Sequence, residues 1–383
     1  MEVDGTTQDD VSLSPGLFNS ITSTSNGPQA SAPPPPPPRA ERVGLNARAN
    51  MSRLVGRTPL VFLNHLAQRC NGTVVCKMED RNPCSSADRV SLALVENLEN
   101  RGLIVPGKSV LVQASFSTGA LGLAFVGAVK GYKVICVIPE SVAIEQRVMA
   151  KAYGAELVVT PTSKGLKGAL YKAEKVVEET PNAVLCDYWN EATIVQIHQE
   201  ATGPEIWEDT HGMVDVLVAP VETGGALQGI GSFLKANNQS CKVVAVEPTE
   251  CAVLSGGKVG THKLQDLSLG SVPPLLDVNV VDEIFKVSSE QGIQTARAMA
   301  RKEGILSGPA TGATVFAALE IAKRPDMHDK LIVALASAAS AASFSAMYED
   351  LRRQCQAITV CRESEFRNMP KEAKEGKEAK AGK

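Results

Sequence analysis

The sequence predicts an α/β protein with parallel-rich sheets and flanking helices. Three observations carry this. Short apolar runs recur along the chain and are continuous rather than alternating, as in strands covered on both faces. Helix-like segments stand between most of them, and repeated strand–helix–strand order implies parallel strands joined by crossover helices. Apolar residues make up 44% of the 383 residues but aromatics only 4%, so small aliphatic side chains must fill the cores.

The elements follow in order. A strand-like run, Thr73–Met78, leads into the turn Asn82-Pro83-Cys84-Ser85-Ser86-Ala87-Asp88-Arg89 and a helix-like run, Val90–Val95. Ser85, Ser86 and Asp88 are residue types that cap and start a helix. The run Ser109–Gln113 is followed by a helical stretch, Leu121–Val129. Strand-like Lys133–Ile138, Glu156–Val159 and Ala183–Cys186 alternate with helix-like Ala143–Tyr153 and Gly165–Glu179. Val214–Val218 and Lys242–Val246 come next, then helix-like Ser289–Arg301 and a last strand-like run, Lys330–Leu335.

At roughly 150 residues per domain, the length suggests two domains between two tails. We expect α/β domains over residues 51–195 and 196–355. Residues 1–50 are rich in Ser, Thr, Gly and Pro, and Pro33 to Pro38 form an unbroken run suited to a polyproline II rod. That composition suits a solvated spacer, with a ligand for a proline-binding module as the alternative. Residues 356–383 form the second tail, ending in a Lys/Glu-rich solubilising stretch.

The net charge of −3 and the lack of a basic block in the central chain argue against a nucleic-acid surface. Nine scattered cysteines without a C-x-x-C pair read as reduced thiols, with Cys76, Cys136 and Cys186 as small buried hydrophobes. No metal site is expected. No stretch approaches the ~20 apolar residues of a membrane span. The acidic start Met1-Glu2-Val3-Asp4 resembles neither a secretory signal nor a transit peptide, so the cytoplasm is the expected location.

Parallel sheets bind ligands at the carboxyl ends of their strands. Three loops occupy such places: the turn at 82–89, Ala114-Ser115-Phe116-Ser117-Thr118-Gly119, and Pro220-Val221-Glu222-Thr223-Gly224-Gly225-Ala226. A Thr-Gly-Gly at a helix start can present backbone N–H groups to a phosphate, and it can equally be a tight turn.

From about Val55 to Arg353 the chain resembles a plant-type cysteine synthase, an O-acetylserine sulfhydrylase of the fold-type II pyridoxal-phosphate enzymes. The resemblance rests on Gly56-Arg57-Thr58-Pro59-Leu60, Thr202-Gly203-Pro204-Glu205-Ile206-Trp207 and Leu254-Ser255-Gly256-Gly257-Lys258. Val287-Ser288-Ser289 and Ile321-Ala322-Lys323-Arg324-Pro325 add to it. It implies a two-domain fold like that of the tryptophan synthase β-chain, and pyridoxal phosphate as cofactor.

The resemblance also implies what is missing. The family's first loop reads P-C-S-S-V-K-D-R, and its lysine holds the cofactor as a Schiff base. Here the turn is one residue shorter and has no lysine between Pro83 and Arg89. No hydroxyl can form an imine, and Lys77 lies back in the preceding strand. The family's T-S-G-N-T-G corresponds to Ala114–Gly119, where Phe116 replaces a glycine and should fill substrate space. Its phosphate loop G-x-G-T-G-G-T corresponds to the third loop, where Glu222 sets a carboxylate beside a phosphate. Asp187 stands at the place of a substrate-binding Gln, and Asp266-Leu267-Ser268-Leu269-Gly270 at the family's G-I-G-A-G.

The resemblance implies no catalytic residue. The implied cofactor remnants are Thr223, Gly224, Gly225, Ser117 and Thr311, with Ser115, Thr118 and Gly119 as substrate-loop remnants. The reading is an inactive member with a scaffold or regulatory role linked to cysteine biosynthesis, with doubtful pyridoxal phosphate binding. An active β-replacement enzyme and a small-anion or metabolite sensor are the alternatives. Expected partners are a second copy or an active family member. Serine acetyltransferase, whose tail docks in the family's site, would bind more weakly here, near a basic loop of Lys258, His262 and Lys263.

Overall fold

Two sheets carry the fold of the computed structural model, which describes residues 47–116, 118–337 and 347–357. The smaller has four parallel strands in the order β5-β4-β3-β6. These are β3 (Val110–Ala114), β4 (Lys133–Pro139), β5 (Glu156–Thr160) and β6 (Ala183–Leu185). Helices α1 (Asp88–Asn100), α2 (Gly119–Lys130), α3 (Ile144–Ala152) and α4 (Gly165–Glu179) belong to the same stretch of chain. Each predicted strand and helix in it is present, within a residue or a few of its expected ends.

The larger sheet runs β1-β2-β10-β7-β8-β9. Its members are β1 (Leu60–Phe62), β2 (Thr73–Lys77), β7 (Val214–Pro220), β8 (Lys242–Pro248), β9 (Glu283–Val287) and β10 (Leu331–Leu335). All neighbours are parallel except β1, which is antiparallel to β2. The central strands are buried on both faces, which is why their sequences are unbroken apolar runs. β4, β7 and β8 each end on proline, which has no N–H to continue a ladder. β1 and β9 are half-exposed edge strands, β1 only three residues long and β9 of mixed charged and apolar residues, and the run pattern gave no sign of them.

The chain therefore starts in the larger sheet with β1 and β2, leaves for the smaller one, and returns at β7. β2 lies beside β10, with Val75 opposite Val333. From Asn50 on, the described residues make one compact unit. Helices α8 (Ser289–Glu303) and α9 (Pro309–Ala322) cross at glycines: a Cβ on Gly312 would lie 2.1 Å from the Gly292 carbonyl oxygen. That contact lets the buried alanines of α9 fill the core under β2 and β10 with little side-chain bulk.

Candidate functional site

The turn after β2 is held by its own carboxylate. Asp88 accepts from the Cys84 amide at 2.7 Å, from the Ser85 amide at 3.0 Å and from the Ser85 hydroxyl at 2.9 Å. The helix cap itself is Ala87, with no side-chain hydrogen bond. Ser85 and Ser86 thus do not cap α1 as expected. The first helical residue instead reaches back and fastens the loop. Burial raises the Asp88 carboxyl to about 6, against the pull of those amides. Cys84 is no replacement nucleophile, because burial and then the Asp88 charge push its thiol up to about 12.

Arg89 leaves this turn for a buried cluster. Its guanidinium meets Glu79 at 2.7 and 2.9 Å and both oxygens of Glu205 at 2.7 Å. Glu205 lies on α6 (Gly203–Asp209), so the fork ties α1 to α6. Lys77, fully buried, joins the same cluster. Its Nζ donates to the Thr58 carbonyl at 2.6 Å and pairs with Glu205 and Asp209, each at 3.1 Å. The one lysine beside the turn is thereby committed to structure.

Two cavities lie where the three loops converge. The inner one, of about 60 Å³, is lined by residues that include Ser86, Tyr188, His198, Glu222, Thr223 and Asp266. The outer one, of about 240 Å³, is lined by residues that include Phe116, Ser141, His262 and Gln265. Glu222 and Asp266 belong to both walls. Among the described residues no lysine or arginine lines either cavity. His198 adds no charge: burial lowers its imidazole to about 4, and Nδ1 sits 2.9 Å from the Thr202 hydroxyl. Glu79 also reaches the inner wall, but its charge is spent on Arg89.

Thr223 and Gly224 reach the inner cavity. Gly224, with φ +82°, opens α7 (Gly225–Asn237), and the Gly225 amide donates to the Thr223 hydroxyl at 3.3 Å. Ser115, Thr118 and Gly119 are buried beside the site but are not among its lining residues, and the Thr118 amide approaches Asp266 at 3.4 Å. Thr311 is buried in the first turn of α9, also outside both linings. Ser117 lies outside the described residues. Asp187 does not face the cavities either. It makes a local turn, accepting from the Trp189 amide at 2.9 Å and the Asn190 side chain at 2.9 Å. Tyr188, His198 and Gln265 were not anticipated, because no spacing marks isolated residues from separate loops.

Residues 51–338 match the family described as pyridoxal-phosphate dependent enzyme. Cysteine synthase 3 of Caenorhabditis elegans is 36% identical over 319 residues, covering 83% of this chain and 95% of that protein. Cysteine synthase A of Escherichia coli is 38% identical over 308 residues, covering 78% and 94%. A crystal structure of cysteine synthase from Entamoeba histolytica superposes with a TM-score of 0.75 at 31% identity, over 84% of this chain and 94% of that one. This chain belongs to the cysteine synthase family of fold-type II pyridoxal-phosphate enzymes.

Against that family, the loop at 266–270 has a clear physical signature. Asp266, Ser268 and Gly270 have φ of +63°, +50° and +79°. The backbone at the positions of the family's three glycines is left-handed at all three, although two now carry side chains. An L-residue in this region costs roughly 1–2 kcal/mol, less for Asp. The change puts a carboxylate into the cavity wall.

The site's residues do not fit the family cofactor. Pyridoxal phosphate needs an amine for its aldehyde, and the turn has none. Its phosphate would meet Glu222 and Asp266, in a wall that no described lysine or arginine lines. Pockets that enclose small ligands hold about 300–1,000 Å³, whereas the inner cavity of about 60 Å³ holds a few waters. Phe116 stands in the outer wall and also packs on the core under β3, so it narrows the outer space without filling it.

Proposed function

We propose that this chain is a non-catalytic member of the cysteine synthase family, acting as a scaffold or regulator linked to cysteine biosynthesis. One observation carries the reading: Lys77, the lysine beside the cofactor turn, is buried with Glu205 and Asp209, and among the described residues no lysine lines the cavities. The intact fold around an acid-lined site supports a protein that keeps its surfaces and lacks the chemistry. A cytoplasmic protein, paired with a second copy or with an active relative, fits this role.

The charge of the site weighs against a sensor of small anions. It also weighs against docking of an acetyltransferase carboxyl terminus. The loop thought basic is less so than its sequence suggests: Lys258 and Lys263 are exposed, but burial holds the His262 imidazole below its usual range.

The test is spectroscopic. Purified protein is incubated with pyridoxal phosphate, scanned for visible aldimine absorbance, reduced with borohydride and mapped by mass spectrometry. The expected result is no absorbance band and no pyridoxyl-lysine. A stoichiometric adduct on any lysine overturns the proposal.

A further inference from the structure

A groove of about 420 Å³ shares no lining residue with the two cavities. Three segments build it: residues 53–57, α1, and the helical run from 197 to 208. Val55, Leu92, Ile197 and Pro204, each half-buried, give it an apolar floor. Arg53 and Arg57 stand on one segment, Glu200 and Glu208 on another, and all four are exposed. The other charges of the groove are spent, Arg89 on Glu79 and Glu205, and Glu96 on Lys130 at 3.7 Å. Among the described residues, none of the four exposed side chains makes an ion pair or a hydrogen bond.

These charges stand on fixed backbone. Arg53 belongs to the 3-10 turn Met51–Leu54, whose cap, the Asn50 side chain, accepts from the Ser52 amide at 3.0 Å. Met51 and Leu54 are exposed on the same turn, at 49% and 47%. Arg57 has a left-handed backbone, φ +48°, and its amide donates to Glu205 at 3.0 Å. Glu200 lies on the π-helical turn His198–Thr202, and Glu208 on α6.

Two free cations and two free anions around an apolar floor make a self-complementary surface. Turned about a twofold axis, a copy of it sets arginines against glutamates at both ends, and a twofold interface uses the same patch on both partners. A small ligand is fixed by a few polar groups inside an enclosing pocket. The unpaired groups here are exposed on the walls, which suits a second surface instead. We infer that this groove and the turn beside it form the face through which two copies of the chain pair, arginines of one against glutamates of the other. Met51 and Leu54 add apolar contact beside these charges, and the charge pattern fixes the register. The inference rests on the pairing with a second copy in the proposed function, and names the face that does it.

The test is sedimentation velocity of the full chain at micromolar concentrations. Wild type should be a dimer. R53E/R57E and E200R/E208R each set like charge against like, and each should raise the dissociation constant roughly tenfold or more. Mixed in equal amounts, the two variants again face opposite charges at both ends, so the dimer should return. L54D should weaken the dimer several-fold. It changes one exposed residue, so it tests the face even where a double variant does not fold. Circular dichroism of each variant reports folding separately.

A monomeric wild type overturns this inference and the pairing with a second copy together. A dimer that every folded variant leaves intact overturns this face alone. Two folded, monomeric double variants that stay monomeric when mixed also overturn it. None of these results bears on the borohydride test, so failure here is distinct from failure of the non-catalytic reading.

Discussion

Replacing Arg89 with methionine removes the centre of the buried cluster while roughly keeping side-chain volume. The guanidinium makes four charged contacts of 2.7 to 2.9 Å to Glu79 and Glu205, and its side chain is 2% exposed. Breaking a buried pair by deleting one partner costs about 3–5 kcal/mol, since the other charge is left without compensation. A second route gives a similar figure. Burial alone would raise the Glu205 carboxyl, yet the hydrogen bonds and charge of Arg89, with help from the Arg57 amide and Lys77, bring it down to about 2 from 4.5. At 1.36 kcal/mol per unit that is about 3 kcal/mol, shared among those partners. For a unit of about 330 residues, with an unfolding entropy of about 2.1 cal/mol/K each, 3–5 kcal/mol lowers the melting temperature by roughly 4–7 °C. Arg89→Lys keeps charge but not the fork, so it should fall between wild type and Arg89→Met. The assay is calorimetric melting of both variants at neutral pH. A loss below about 1 °C for Arg89→Met would refute the claim that the turn's remaining work is structural.

Lys77→Met should cost less, about 1–3 kcal/mol, because Asp209 is half exposed and Glu205 keeps Arg89. Its visible spectrum with pyridoxal phosphate should match wild type, and a lost aldimine band would make Lys77 the missing amine. Stability should rise on mild acidification. Burial raises Asp80, Asp88 and Asp266 to about 6, above their ordinary 3.8. Their penalty is thus full above about pH 6 and fades as pH falls toward 3.8. Glu205, lowered to about 2, contributes fully above 4.5 and loses that contribution only below it, whereas buried His198, lowered to about 4, offsets part of the carboxyls' gain as pH falls from 6.5 toward 4. Thermal melts should therefore peak near about pH 5, and a steady decline from pH 7.5 to 5 would contradict these assignments. In native-state alkylation followed by mass spectrometry, exposed Cys355 should react while Cys76, Cys84, Cys136 and Cys186, pushed to about 12 chiefly by burial, stay unmodified. Labelling of Cys84 at a rate near that of Cys355 would show the turn to be open.

Most of the fold was legible because fully covered parallel strands leave unbroken apolar runs and crossover helices leave spaced ones. The edge strands β1 and β9 were not, since β1 has only three residues and β9, half-solvated and mixed in charge and hydropathy, resembles a loop. The expectation that Ser85 and Ser86 cap α1 was chemically reasonable for the residue types. It failed because the Ser85 hydroxyl donates to the Asp88 carboxylate rather than accepting from an amide of the helix's first turn. Asp187 looked like an acid aimed at the site, yet the nearby Trp189 and Asn190 amides were closer acceptable donors.

The sequence by itself determined the α/β class, the family likeness and the absence of a lysine from the cofactor turn, because each depends on residue type and local order. Only the tertiary structure decided where the charges went. Arg89 and Lys77 come from neighbouring segments but find Glu205 and Asp209 more than a hundred residues away, which withdraws both cations from the cavity. Glu222 and Asp266, on loops apart in sequence, meet in one wall, and among the described residues no lysine or arginine lines it. A charge's effect depends on distance and burial, and neither can be read along a chain.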